Sequence, residues 1–284
     1  MDSRTGGRLA AADLVVALPF ALAAEGGTAA AEPGRDPVVS LSTSPQRLDL
    51  LPRPCLPAVL TVRFDGRSTE PIYPTAVVGA EPPLRVSDEI LSTYVPPDRP
   101  ATAPLAVVVP ADTPPGDYAV SLRLDRQRLS VPVHVSAEAE DPHRNLALGQ
   151  ATTASSTGGT LDPCGVVDGN RSYTLLGYDR PATAWADATP GAFPDQLETR
   201  LAKPAPVGRV DLHTHADARF ALKDWDVQAL TDAGWQTVAQ VRGHTAGRYS
   251  STFPAVTASA VRVVMLATNG YAYSTVTELE FYGP

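Results

Sequence analysis

Between Tyr118 and Val135 the side chains alternate apolar and polar with a period of two. Tyr118, Val120, Leu122 and Leu124 fall on one side, with Ala119, Ser121 and Arg123 on the other. Val131, Val133 and Val135 repeat the pattern in the next segment. An amphipathic helix repeats its apolar stripe every three to four residues, so a period of two specifies strands with one buried face. Pro132 has no N–H to give to a ladder, which predicts an edge strand or a bulge there. Val38–Leu41, Ala58–Phe64 and Leu105–Val109 read as further strands, separated by turn clusters such as Asp65-Gly66 and Pro114-Pro115-Gly116-Asp117. The 28 prolines and 21 glycines are scattered between short apolar runs, as an all-β chain with many turns requires.

At 284 residues the chain has room for one or two domains. Five or more short strands within residues 38–136 imply an Ig-like β-sandwich. The stretch 137–142, acidic and ending in Pro142, marks a linker too short for free tumbling. Residues 143–284 alternate again, at Asp195–Leu201, Val210–His215, Trp225/Val227/Ala229, and Leu279/Phe281 against Glu278/Glu280. Thr231-Asp232-Ala233-Gly234 is a hairpin turn into Trp235. Val261–Leu266, apolar except for Arg262, suits a central strand buried on both sides, and a jelly-roll-like sandwich follows. Trp185, Trp225 and Trp235 lie in or beside strand patterns and are expected in the core.

Charge excludes several partners. The net charge is −8, only Lys203 and Lys223 are lysines, and the arginines are scattered. A phosphate-binding face needs clustered cations, so nucleic acid and anionic membrane are not expected partners. No apolar run is long enough for an ordinary transmembrane helix. Residues 1–37 read as a secretory signal peptide or a disordered Ala/Gly-rich segment: Arg4 and Arg8 precede an apolar stretch and then Ala29-Ala30-Ala31, although Asp13 interrupts the usual pattern. A secreted chain with two cysteines permits a disulfide, but Cys55 and Cys164 fall in different halves, and small buried free thiols are the expected state.

Val166-Val167-Asp168-Gly169-Asn170-Arg171-Ser172 carries the densest loop chemistry. Asp-Gly-Asn is strong turn chemistry, and it also gathers the carboxylate, amide and carbonyl oxygens that a hard cation wants. Asp168, Asn170 and Ser172 mimic the opening of an EF-hand, but Tyr173 stands where that loop needs glycine and no helix flanks it. A tight turn without metal and a calcium loop inside a β fold both remain open.

Catalytic readings find little support. His213 and His215 share a strand face and with Asp211 or Asp217 could ligate zinc, but His244 would have to arrive from a distant loop. Paired carboxylates for glycoside hydrolysis cannot be singled out among so many acids. Neither a nucleophile elbow nor a phosphate-cradling glycine loop appears, so no catalytic residue is expected.

In order, Asn145–Thr152 with Ala154-Ser155-Ser156, the Val167-Asp168-Gly169-Asn170 loop, Thr183-Ala184-Trp185, Lys223–Gln228, Gly234-Trp235, Val261-Arg262-Val263 and the closing Glu278–Gly283 resemble the coagulation-factor type C (F5/8 type C), or discoidin, domain. The bacterial branch of that family is rich in carbohydrate-binding modules. The resemblance covers roughly residues 143–284 and implies a galactose-binding-domain-like sandwich. Val109–Tyr118 is similar to the penultimate hairpin of Ig-like modules attached to bacterial glycosidases.

The resemblance implies that His215, Arg248, Asn269 and Tyr271 bind sugar from loops. Ala218 and Arg219 stand where the family often has an aromatic, with Phe220 next. It also places the closing strand beside the Asp168 loop. A structural calcium ion would then take oxygens from Val167, Asp168, Asn170, Ser172, Thr277 and Glu278, with Glu280 as the runner-up. The expected function is secreted, non-catalytic carbohydrate binding of a galactose-like sugar or extracellular polysaccharide. The alternatives are an adhesion or assembly protein gripping an extracellular protein partner, and an accessory part of a larger glycoside hydrolase.

Overall fold

The computed structural model describes residues 38–97, 99–172 and 183–284, and the segment in which a leader was expected lies outside them. Among the described residues there are seventeen strands and only two short 3-10 helices, Pro163–Val166 and Ala218–Phe220.

The first half contains β1 (Val39–Ser44), β2 (Leu48–Leu50), β3 (Ala58–Gly66), β4 (Thr75–Ala80), β5 (Arg85–Val86), β6 (Ile90–Ser92), β7 (Ala101–Val108), β8 (Gly116–Leu124) and β9 (Gln127–Val135). They form one sheet in the order β1-β3-β7-β5 and another in the order β2-β9-β8-β4-β6. The alternation read from the sequence fixes the inner faces. Leu60, Val62 and Phe64 of β3 share a buried cluster with Leu105 and Val107 of β7, Val120, Leu122 and Leu124 of β8, and Val131, Val133 and Val135 of β9. Each such side chain stabilises the fold by roughly 1.5–3 kcal/mol relative to exposure, so a one-residue slip of β8, which would bury Ser121 and Arg123, is strongly disfavoured. The strand holding Pro132 is not the outermost one. β2 lies beyond it but pairs only with Val133–Val135, so Pro132 stands just before the outer ladder begins.

The second half contains β10 (Thr152–Ala154), β11 (Trp185–Ala186), β12 (Asp195–His213), β13 (Leu222–Thr231), β14 (Gly234–Val241), β15 (Arg248–Thr268), β16 (Thr275–Val276) and β17 (Glu278–Tyr282). Six of them make a sheet in the order β10-β12-β15-β13-β14, with β17 also on β12, while β11 and β16 pair separately. The long β12 stays paired with β15 across two register shifts, serving β10 at its start and β17 at its end.

Two expectations need correction here. Val261–Leu266 is central in the sheet but buried on one face only: Val261, Val263 and Met265 are buried while Arg262, Val264 and Leu266 are partly exposed. Trp185 and Trp225 are fully buried, but Trp235 is only half-buried. Its ring lies 4.1 Å under the Arg262 guanidinium, which also donates to Gln228 Oε1 at 2.7 Å. A cation lying on an aromatic face explains how an arginine sits within an otherwise apolar run.

The halves are covalently joined. Cys55 and Cys164 form a disulfide with Cα atoms 5.0 Å apart, which overturns the expectation of free thiols. Pairing across 109 residues depends on how the halves pack, and no local pattern encodes that distance. The Cys55 N–H donates to Gly149 O at 2.9 Å, and Cys55 packs in the second half's core. Glu138 accepts from Arg53 at 2.7 Å on one oxygen and from Arg144 on the other, so this one carboxylate ties a residue of each half.

Candidate functional site: the loops at the end of β12

β12 ends at His213, and both candidate centres grow from that end. β17 runs beside it, with His213 opposite Glu278 and Asp211 opposite Glu280. Leu279 and Phe281 point into the core, so Glu278 and Glu280 share the other face. The Glu278 side chain is nevertheless completely buried. One oxygen accepts the Gly169 N–H at 3.1 Å, and the other has no hydrogen-bond partner. Burial, then the charge of Asp168, push the Glu278 carboxyl up to about 9.

The Asp168 loop is wound by its own side chains. Asp168 Oδ1 accepts from the Asn170 N–H at 2.7 Å, and Asn170 Oδ1 accepts from the Ser172 N–H at 3.0 Å. Gly169 has φ +84°, the left-handed conformation that glycine adopts without strain. Burial raises the Asp168 carboxyl too, against the Asn170 N–H that lowers it. Val167 O accepts from Gly149 N–H at 2.7 Å, and Ser172 O accepts from the Thr183 hydroxyl at 2.8 Å. Thr277 donates its N–H to His213 O at 2.9 Å, and its buried hydroxyl has no partner.

Glu280, the runner-up ligand, is already engaged. Arg171 donates to both its oxygens, at 2.7 and 2.9 Å, and the Tyr282 hydroxyl donates at 3.1 Å. Loop and strand thus meet with Glu278 as the buried acid that has an oxygen to spare. Glu278 Oε2 is unpartnered and the Asp168 carboxylate is near enough to raise the Glu278 pKa further, and a hard cation suits such a pair of acids better than a dry core does. Among the described residues no group of three His, Cys, Asp or Glu gathers at metal-binding spacing, so an ion here would depend on two carboxylates and neutral oxygens.

The zinc grouping does not form. Asp211 is paired with Arg248 at 3.0 Å and Arg209 at 3.4 Å, and Asp217 is paired with Arg219 at 2.6 Å. His213 lies 3.7 Å from Glu280, with burial lowering its pKa below the ordinary histidine value. His215 lies past the strand end, where its Nδ1 accepts the Asp217 N–H at 3.0 Å.

Three loops continue from this strand end. The Thr214 N–H donates to Gly247 O at 2.8 Å, drawing residues 243–248 onto residues 214–221. A Cβ on Gly247 would meet Ala216 Cα at 3.0 Å, so the approach needs glycine. Asn269 ties in the third loop, donating its backbone N–H to Ala221 O at 3.2 Å and its side-chain amide to Ala221 O and His244 O at 3.2 and 2.9 Å.

His215, Asn269 and Tyr271 are therefore brought together, although Asn269 spends its amide on backbone carbonyls. Arg248 opens β15 rather than lying in the loop, and its guanidinium is half exposed beside Asp211. The sequence pointed to Phe220 only as a neighbour of the expected aromatic position and gave it no binding role. Its ring is edge-on to His215 at 4.9 Å and to Tyr271 at 4.8 Å, and Tyr271 lies 5.5 Å from Tyr273. The signal for Phe220 was its place directly after Ala218 and Arg219, where the family often has an aromatic. Asp217 and Arg219, beside it, bond each other closely enough to hold the Asp217 carboxyl down to about 2.

Residues 165–263 match the family model described as an F5/F8 type C, NedA-like, galactose-binding domain. Chitosan-binding module 1 from the chitosanase/glucanase of Paenibacillus sp. IK-5 is 30% identical over 50% of this chain and 100% of its own, with a TM-score of 0.42. Module 2 of that enzyme, solved in complex with chitotriose, is 30% identical over 49% of this chain and 100% of its own, with a TM-score of 0.41. The family 32 carbohydrate-binding module of C. perfringens NanJ, in complex with galactose, is 16% identical over 47% of this chain and 93% of its own, with a TM-score of 0.40. No curated protein matches the chain. The second half thus carries an F5/F8 type C-like galactose-binding domain.

Proposed function

We propose that this protein binds carbohydrate through the edge formed by His215, Phe220, Arg248, Tyr271 and Tyr273. The observation that carries the reading is the aromatic run His215–Phe220–Tyr271–Tyr273, set on two of the three loops that hydrogen bonds hold together at one strand end. Tyr271 remains 38% exposed, so its ring can stack on the apolar face of a pyranose while the His215 ring and the Arg248 guanidinium donate to hydroxyls. Asn269 acts by holding the loops in register. A galactose-like sugar is the first ligand to test, because the matching family model is a galactose-binding domain. The role is non-catalytic and extracellular: the site offers donors and rings but no nucleophile beside a base. Among the described residues, no helix is long and apolar enough to cross a membrane. A broad glycan array checks the reading. Binding that Tyr271→Ala weakens about tenfold supports it, and a chain that binds no glycan, or binds one equally well without Tyr271, overturns it.

The same reading includes a structural calcium ion between Asp168 and Glu278, with Thr277, Asn170, Val167 and Ser172 supplying further oxygens. The ion would neutralise two neighbouring acids and clamp the last strand to the loop. Residues 38–136 serve as an Ig-like spacer, and residues 137–142 join it to the binding module of residues 143–284. Elemental analysis of the purified protein, followed by chelation, tests the ion directly.

A further inference from the structure

The outer face of the sheet β2-β9-β8-β4-β6 carries a ladder of exposed side chains. Tyr73, Thr75 and Val77 turn to solvent along β4 and its approach, while Pro74 and Ala76 turn inward. β6 matches them rung by rung: Thr75 stands opposite Ser92, and Val77 opposite Ile90. The Thr75 and Ser92 hydroxyls bond each other at 2.8 Å. Tyr73 and Tyr94 close the ladder, with ring centroids 5.5 Å apart on residues 73% and 49% exposed. A single exposed apolar side chain is ordinary, but Tyr73, Tyr94, Val77 and Ile90 share one face, and such patches mark binding surfaces.

The row through Val77 continues into two arginines. Val77 pairs with Arg123 of β8, and Arg123 with Arg128 of β9. Residues directly opposite on one face of an antiparallel pair have Cβ atoms about 4.5–5.5 Å apart, so these like charges repel. Elsewhere in the same half Arg47, Arg53 and Arg63 are each paired with an acid, at 2.7–2.9 Å. Arg123 and Arg128 have no such partner among the described residues. With Val77, Gly79, Ser121 and Ser130 they line a groove of about 450 Å³, and no described acid lines it. A Cβ on Gly79 would meet Ser121 Oγ at 3.1 Å, so glycine keeps the groove floor open. The volume lies within the range of about 300–1,000 Å³ usual for ligand sites.

Charge, shape and backbone together select the ligand. Two guanidinium groups side by side suit carboxylates, which they bind through forked, charge-assisted hydrogen bonds. Tyrosine rings and aliphatic side chains suit the C–H faces of sugar rings, and the Ser121 and Ser130 hydroxyls suit sugar hydroxyls. From Tyr73 to Gly79 the strand spans about 20 Å, which suits a chain of sugars rather than one ring. The floor is made of β4 and β8, each paired on both sides, so an extended acidic peptide finds no backbone to pair with there.

We propose that this face binds an acidic polysaccharide, with sugar carboxylates on Arg123 and Arg128 and sugar rings along Val77, Ile90, Tyr73 and Tyr94. The first half then holds glycan in addition to spacing the second, and this role does not rest on sugar binding by the aromatic loops.

The test uses the full, oxidised chain carrying Tyr271→Ala, which weakens the loop site. It is titrated calorimetrically at low salt with alginate oligosaccharides, in which every sugar carries a carboxylate. Adding Arg123→Gln and Arg128→Gln together should weaken binding at least about tenfold, and adding Tyr73→Ala instead should weaken it about tenfold. Binding by the parent should fall as salt rises. The arginine variant should unfold at the same urea midpoint or a higher one, because a like-charge pair has been removed. No alginate binding at low salt overturns the proposal, as does unchanged affinity in the arginine variant. A lowered midpoint in that variant would make the arginines structural and overturns it too. Dextran sulfate or poly-glutamate bound as tightly as alginate overturns the ligand class, since charge alone or a peptide would then suffice. Failure of the loop reading is distinct: Tyr271→Ala would then leave the glycan profile of the wild-type chain unchanged.

Discussion

Glu278 accepts the Gly169 N–H at 3.1 Å, a bond that pins the last strand to a loop 109 residues earlier. The other oxygen of the same carboxylate is buried and unpartnered. A completely buried acid next to Asp168 stays neutral or finds a cation, and each alternative leaves a different pH signature.

Without metal, burial and Asp168 lift the Glu278 pKa from 4.5 to about 9. The folded chain then keeps a proton that the unfolded chain releases over that interval, so stability falls as pH rises from about 4.5 to about 9. Calcium requires the ionised carboxylate, so a calcium-loaded chain should lose this slope. His213 slopes the other way: its lowered pKa makes stability fall as pH drops below the ordinary histidine value of about 6.5, with or without the ion. Melting temperatures measured across pH in chelator and in calcium should therefore diverge most on the alkaline side. Coincident curves remove the ion.

At fixed neutral pH, calcium at about 100 times its dissociation constant should add roughly 2.7 kcal/mol. Asp168→Ala and Glu278→Ala should each abolish that gain. Glu280→Gln should retain it, because Glu280 is taken by Arg171 and Tyr282. Denaturant titration with and without calcium measures all three.

Reduction of Cys55–Cys164 should destabilise the chain markedly. The bridge spans 109 residues, and freeing a loop of that length costs about 3–5 kcal/mol on chain-entropy grounds. Urea unfolding of the Cys55→Ser, Cys164→Ser double variant should show a lower midpoint than the oxidised parent. An unchanged midpoint would mean that the halves are held together without it.

Phe220→Ala and Tyr271→Ala should both weaken sugar binding, by about 1–2 kcal/mol or roughly tenfold each, through loss of ring stacking. The two effects should not add, since the rings touch at 4.8 Å. Calorimetric titration with the best array ligand reads the coupling, and strict additivity would mean that the rings act separately.

Trp225→Ala should cost about 3–5 kcal/mol, as deletion of a completely buried aromatic does. Trp235→Ala should cost about 1 kcal/mol or less, the loss of a half-buried ring stacked on Arg262. Equal losses in thermal unfolding would contradict the different packing of the two rings.

The period-two alternation of β8, β9 and β17 was enough to specify strands and their buried faces, because a strand's inner face is a local property of every second side chain. The turn at Asp168-Gly169-Asn170 was legible for the same reason: short polar side chains bond backbone two residues on. The tertiary structure decided whatever depended on distance between segments. It joined Cys55 to Cys164, gave Glu280 to Arg171 while leaving an oxygen of Glu278 unpartnered, and placed Phe220 between His215 and Tyr271. It also exposed the outer face of the strand around Val261 and laid Arg262 on Trp235 there. Burial and charge pairing are set by which segments the sheets bring side by side, and a linear pattern records each segment's own faces without recording its neighbours.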